Sequence, residues 1–315
     1  MTAHPARPRG VLLVGATGRL GPHVADALQR RDYEVVVAGR RGAATGAQIG
    51  GVDVADRRWW EPEAWRSAMG AAGVRPEGLA AVVNLVAPRE RSRTRSEAVG
   101  TGSVRAVTAA AGANAGAHVL TVHVGSVAEL CPGRRSAYAS GKAAARAEAL
   151  RLSVAVVLTV GVVPRRSGGR DDRLMRLIAG SAPGIAALPI ATSTAEHVGE
   201  AIAFLVDTAR SQVAYGPATT EVVLAGSVRR LGDVLAVDPR RWSWPRWALG
   251  LLSRTPAFGQ PGLSRAASWA RLAAGRPERN HYLTTASSVV PAPVWRLLQA
   301  GQDRLLLVPP GVAPG

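Results

Sequence analysis

The chain has 315 residues, 47% of them apolar, with a mean hydropathy of +0.07, which suits a globular protein in water with one large domain or two interleaved ones. A single cysteine, Cys131, excludes an intrachain disulfide and fits a reducing compartment; no window approaches the roughly 18 uninterrupted apolar residues of a membrane span, and the N-terminal apolar run is too short for a signal-peptide core, so a cytoplasmic protein is expected. The formal charge of +17 suits phosphate-rich partners, but the arginines are scattered along the whole chain. Only 4% of residues are aromatic, so stacking platforms are scarce, and solvated charge is expected instead of a nucleic-acid interface.

In chain order, residues 11–15 (VLLVG) form a short apolar run ending in glycine, and 19–31 (RLGPHVADALQRR) read as an amphipathic helix. Further apolar runs follow at 34–38 (EVVVA) and 81–86 (AVVNLV), then helical patterns at about 97–111 and 137–151. These are interleaved with 118–125 (HVLTVHVG) and 153–160 (SVAVVLTV). Strands apolar on both faces, alternating with helices, predict a doubly wound α/β fold, a Rossmann-type parallel sheet covered on both sides, over residues 1–164. Beyond 164 the alternation loosens. Residues 194–209 read as a helix and 221–225 as a strand, so about 194–226 can return to the main sheet. The remainder of 165–315 is expected to be a smaller, mostly helical substrate region. Trp242, Trp244 and Trp247 lie in it, with core or inter-domain packing preferred over a membrane-interface or partner patch.

Chemistry concentrates at five places. "GATGRLG" spaces Gly15, Gly18 and Gly21 between the first strand and the first helix, with Thr17, Arg19 and Leu20 among them. That spacing lets a backbone approach a pyrophosphate and aims a helix N-terminus at its charge. About twenty residues on, where an acid would accept hydrogen bonds from an unphosphorylated ribose, the second strand ends instead in Arg40 and Arg41. Two guanidiniums there, with Arg19 as a candidate third, suit the 2′-phosphate of NADP(H), while NAD(H) stays open. Asp53 and Val54, in "DVAD", sit where an adenine is held, although Asp53 also reads as a turn aspartate. Leu85, Val86 and Ala87 close the "NLVA" run.

The fifth place holds the only lysine, Lys142, among 39 basic residues; it stands four positions after Tyr138 in "YASGK". In a chain that uses arginine wherever charge suffices, one retained lysine points to a site that needs a compact ammonium. Residues i and i+4 share a helix face, and a fixed ammonium near a phenol favours the phenolate, bringing a group of pKa about 10 toward the working range.

The glycine loop, "DVAD", "NLVA", Ser126 at a strand end and "YASGK" together resemble the short-chain dehydrogenase/reductase superfamily over about residues 10–165. The glycine spacing and long C-terminal part are similar to its extended or atypical, epimerase/dehydratase-like branch. The resemblance implies Tyr138 as general acid/base, Lys142 on the nicotinamide ribose, Ser126 positioning the substrate oxygen, and Val162 after the sixth strand beside the cofactor. It implies an NADP(H)-dependent oxidoreductase acting on a carbonyl or secondary alcohol. The alternatives are a nucleotide-sugar epimerase or dehydratase with tightly held cofactor, and a non-catalytic NADP(H)-binding sensor or scaffold. Two positions depart from the pattern. Glu97 or its neighbours stand where an asparagine often does, and "VGVVPRR" at 160–166 replaces the "NVYGP" usual in the sugar-nucleotide enzymes. The arginine-dense segments 88–95 and 164–173 suggest an anionic, small or carrier-bound substrate. A homodimer stays open. His118 and His123 are expected to be packed strand residues, and the histidine and cysteine spacing indicates no metal site.

Overall fold

A computed structural model describes residues 9–41, 47–88, 90, 92–114, 118–130, 137–161, 163, 189–211, 219–225, 228–230 and 304–308. Seven strands run parallel in the order β3 (Ala47–Ile49), β2 (Glu34–Ala38), β1 (Gly10–Val14), β4 (Leu79–Asn84), β5 (Leu120–Ser126), β6 (Val156–Val160) and β8 (Thr220–Ala225). An eighth, β10 (Arg304–Val308), pairs antiparallel with β8. A separate two-stranded sheet joins β7 (Pro189–Ala191) to β9 (Val228–Arg230).

The apolar runs explain why these strands are central. Successive side chains of a strand point to opposite faces, and in β1 Val11 and Leu13 enter one core while Leu12 and Val14 enter the other. The first core takes Val24 and Leu28 from α1 (Gly21–Gln29), and Val198 and Ile202 from α5 (Ala195–Ser211). The second takes Trp65 and Met69 from α2 (Pro62–Ala71), and Ala106 and Val107 from α3 (Arg93–Gly112). Between α3 and α4 (Ala137–Arg151), Val104, Ala145 and Ala149 close on Val157 of β6. A sheet apolar on both faces is thus covered on both, the condition under which all-parallel strands are stable.

The structure adds elements that the periodicity leaves unassigned: α2, the three-residue β3 and the late strand β10. It also carries the parallel sheet past residue 164, because the β-branched run of β8 hydrogen-bonds directly to β6. His118 differs from expectation: it precedes β5 and is exposed, whereas His123 is 1% exposed on the strand itself. The tryptophan-rich segment, Cys131 and the segment 164–173 lie outside the described residues. No helix among the described residues is long and apolar enough to cross a membrane.

Candidate active site

The glycine loop lies where β1 meets β4, the point at which the chain crosses over to opposite sides of β1 and where open parallel sheets bind ligands. Its glycines have separable reasons. Gly15 has a φ of +84°, and an added Cβ would stand 2.8 Å from the Val86 side chain and 2.9 Å from its backbone nitrogen. Gly21 faces Ala16, whose carbonyl oxygen would lie 1.7 Å from a Cβ. Gly18 is different. Among the described residues a Cβ there would meet only the Gly15 carbonyl at 3.5 Å, an ordinary contact, so no described packing requires glycine at this position. The place its side chain would fill is a cradle open to a ligand. Behind it α1 begins at Gly21 with Pro22 in its first turn, no side-chain cap and no acidic residue there. The Gly21 N–H is already given to the Gly18 carbonyl at 3.3 Å and Pro22 has none, so it is the dipole of the helix that remains to attract an anion.

The loop is joined to the lysine through β4. Leu85 N–H donates to the Val14 carbonyl at 2.8 Å, and Val86 packs on Gly15. The carbonyl of Val86 then accepts from Lys142 Nζ at 2.9 Å, and that of Val124, two residues before Ser126, accepts from the same Nζ at 2.6 Å. Lys142 is only 3% exposed. Burial pulls it down from its ordinary value to about 8, against the opposing attraction of the Glu129 carboxylate. Tyr138 is half-buried one helical turn earlier on the same face of α4. Ser126 ends β5, and its Oγ accepts from the Ala128 N–H at 3.3 Å.

Beneath this end of the sheet a polar network fixes "NLVA". Asn84, fully buried, donates through Nδ2 to Ser103 Oγ at 3.0 Å and to His123 Nδ1 at 3.1 Å, and its Oδ1 accepts the Val86 N–H at 3.1 Å. His123 is held well below its ordinary pKa, by burial first and by the Lys142 charge second, and is neutral. The network is structural: it holds Val86 in the position that both Gly15 and Lys142 use.

The adenosine-side residues occupy the other flank. Arg40 and Arg41 leave the end of β2 exposed, and neither makes an ion pair among the described residues. Asp53 accepts the Ala55 N–H at 3.2 Å, a turn aspartate in geometry, and is exposed; Val54 beside it is buried. Thr17 is exposed on the loop, and Leu20 packs on the first core. Arg19 is turned toward another part of the sheet. Its guanidinium donates to the Val163 carbonyl, beyond the end of β6, whereas Arg40 and Arg41 leave β2 on the opposite side of β1. Glu97 is turned to Arg93 (2.8 Å) and Arg95 to Glu90 (3.3 Å), so both described arginines of the segment 88–95 face carboxylates, one within the segment and one just after it. Val162, Arg89 and Arg91 lie outside the described residues.

One residue close to these groups has no place in the sequence reading. Glu129, in the 3-10 turn Val127–Leu130 after β5, is 3% exposed. Its Oε2 accepts the Ser126 N–H at 3.2 Å and its Oε1 the Thr159 hydroxyl at 3.2 Å. Burial pushes its carboxyl up to about 7, with the Lys142 charge the largest opposing influence. The only sequence signal was an acid in an otherwise apolar "SVAEL", three residues after a serine already singled out. Among the described residues no cluster of His, Cys, Asp and Glu is arranged to hold a metal ion.

No family model matches the sequence, and no curated protein matches it. Solved structures do share the fold. A putative epimerase from Burkholderia cenocepacia superposes with a TM-score of 0.54 at 20% identity, covering 85% of this chain and 99% of its own. A short-chain dehydrogenase/reductase superfamily protein from Agrobacterium tumefaciens, solved with bound NAD, gives 0.53 at 17%, covering 78% and 84%. A hypothetical dTDP-4-dehydrorhamnose reductase from Sulfolobus tokodaii gives 0.51 at 14%, covering 73% and 80%. At these identities the likeness is one of fold, and it is a Rossmann-type α/β fold.

Proposed function

We propose that the chain is an NADP(H)-dependent oxidoreductase of the short-chain dehydrogenase/reductase type, acting on a carbonyl or secondary alcohol with Tyr138 as general acid/base. The observation that carries the reading is the place of the sole lysine. Lys142 is a buried ammonium at the carboxyl ends of β4 and β5, bonded to Val86, which in turn packs on the glycine loop. Charge alone would not require lysine there; reach into a small polar space does. The open cradle at Gly18 and the uncapped N-terminus of α1 fit a dinucleotide's pyrophosphate. One of the solved structures that share this fold is named a short-chain dehydrogenase/reductase superfamily protein with bound NAD.

Each residue then has a task. Thr17, Gly18 and the first turn of α1 hold the pyrophosphate, and Leu85, Val86 and Ala87 line the path from it toward the nicotinamide end. Arg40 and Arg41 offer charge-assisted bonds to a 2′-phosphate, and Asp53 with Val54 borders the adenine. Lys142 binds the ribose hydroxyls and favours the Tyr138 phenolate. Tyr138 then gives its proton to a carbonyl oxygen, or takes one from an alcohol, while Ser126 hydrogen-bonds the same oxygen. The nicotinamide, when bound, supplies or accepts the hydride. The region after residue 164 is assigned to substrate binding, with an anionic, small or carrier-bound substrate.

The second reading is a nucleotide-sugar epimerase or dehydratase, favoured by the names of several proteins of like fold and disfavoured by "VGVVPRR" at 160–166. One experiment separates the readings. Stoichiometric oxidation of NADPH with a panel of ketones supports the reductase; turnover of nucleotide sugars with no net change in nicotinamide absorbance supports the epimerase. Cofactor binding with neither activity returns the protein to a sensor or scaffold.

A further inference from the structure

We propose that Glu129 is a positioning residue of the same site: its carboxylate keeps Lys142 in the ammonium form and anchors the turn that presents Ser126. The inference rests on the reading above of Lys142 and Ser126 as site residues.

The carboxylate sits in a space built for it. It lies against Gly125, where a Cβ would stand 2.5 Å from Oε1 and 3.1 Å from Oε2, so any side chain at 125 would evict it. Its two oxygens each have a donor, the Ser126 N–H and the Thr159 hydroxyl, one from its own turn and one from β6. Two donors are fewer than an ionised carboxylate can use, so the nearby cations decide its charge. Those facing it are Lys142 and Arg146, both from α4. Arg146 is itself shared with Glu221 of β8 at 2.5 Å, and His123 of β5 is neutral. Among the described residues Lys142 has only uncharged carbonyls as direct partners. The Glu129 anion is therefore what opposes the loss of its proton on burial, and burial alone would favour the amine, which neither binds ribose hydroxyls as a cation nor favours a phenolate.

The sign of the coupling follows. Glu129, raised by burial to about 7, is increasingly ionised above that pH, and Lys142, lowered to about 8, keeps its proton up to about that pH. Between the two lies the range in which a buried anion and a buried ammonium coexist. Neutralising Glu129 removes an influence that raises Lys142, so Lys142 should lose its proton at lower pH.

A chain with one lysine makes this directly measurable. Labelling the full-length protein with 13C-lysine, on a lysine-free tag, yields a single side-chain Cε resonance that needs no assignment. In the wild type that resonance should titrate near pH 8, with a smaller inflection near 7 as Glu129 ionises. In Glu129→Gln, close in size, the smaller inflection should vanish and the midpoint should fall by about one unit or more. An unchanged or raised midpoint in Glu129→Gln overturns the proposal. Should that variant not fold, the wild-type curve alone still decides, since a single step near the ordinary lysine value of about 10.4 overturns it equally. The readout does not use turnover. A shifted lysine in a protein inactive on all substrates keeps the coupling and sinks the oxidoreductase reading, whereas an active reductase with an unshifted lysine does the reverse.

Discussion

At the scale of single residues, Lys142 meets two demands that arginine satisfies poorly. The ammonium fits between the carbonyls of Val86 and Val124 at a position 3% exposed, and a guanidinium is longer and broader. Lys142→Arg is therefore expected to lower turnover by about 10²-fold or more, roughly 3 kcal/mol of barrier. It should also lower the melting temperature, since overpacking costs about 1–3 kcal/mol. A sequence reading that treats residue 142 as one position of an amphipathic helix expects no change in folding; burial is what alters that expectation. Tyr138→Phe, at a half-buried position, should abolish turnover with little change in melting temperature. An arginine variant that keeps most of its activity beside a dead Tyr138→Phe would reduce the lone lysine to codon usage. The lysine was legible because the chain's arginine bias made it conspicuous. Glu129 was not, because its burial depends on the space left by Gly125 and on a hydroxyl from β6, contacts that no linear pattern carries.

At the scale of elements, the site's geometry depends on how closely α4 approaches α3. A Cβ on Gly100 would lie 2.1 Å from the Gly141 carbonyl, and one on Gly141 would lie 2.4 Å from Ser96 Oγ. The two helices touch through their backbones one residue before Lys142. Gly100→Ala should therefore cost about 1–3 kcal/mol in denaturant unfolding and weaken cofactor binding, whereas Gly50→Ala, with nothing within 4 Å, should do neither. A loss-free Gly100→Ala would show that the helices separate without consequence. Glu148 pins the same pair from the far end, bonded to Arg105 at 2.7 Å and to Arg151 at 2.7 and 2.8 Å. Those guanidiniums, Arg151 foremost, hold its carboxyl at about 2, below its ordinary 4.5. A depressed carboxylate contributes stability above its unfolded pKa and loses it as pH falls toward the folded one. Glu148→Gln should thus melt several degrees below wild type at pH 7, and the gap should close between about pH 4.5 and 2; a gap independent of pH would assign it to packing. Element identity was readable where period and length were both strong, as in α4 over 137–151 and the central strands. It was missed where a strand is three residues long (β3), where two tryptophans and arginines mask an i, i+4 apolar pair (Trp65 and Met69 of α2), and where an apolar run stands alone near the C-terminus (β10).

At the scale of the whole molecule, strand order gathers the site. Because β1 lies between β2 and β4, the glycine loop, the arginines ending β2 and the "NLVA" run ending β4 emerge along one edge of the sheet. That edge was foreseeable from the alternation of runs and helices. The continuation of the sheet through β8 and β10 was less so, since it is made by pairing between segments far apart in sequence. A ligand gripping several strand ends at once binds the folded state and not the unfolded one, so its affinity can be read as global stability. At free cofactor one hundred times its dissociation constant the gain is about 2.7 kcal/mol. NADPH should therefore raise the melting temperature by several degrees more than NADH at equal concentration, if Arg40 and Arg41 meet a 2′-phosphate. Both arginines are exposed and make no ion pair among the described residues, so replacing both with Gln should leave the ligand-free melting temperature nearly unchanged while erasing the difference between the cofactors. The difference should also shrink with added salt, because exposed charges are screened within about 10 Å at 0.1 M. Equal shifts with both cofactors in the wild type would return Arg40 and Arg41 to the solvated charge that the rest of this +17 chain carries.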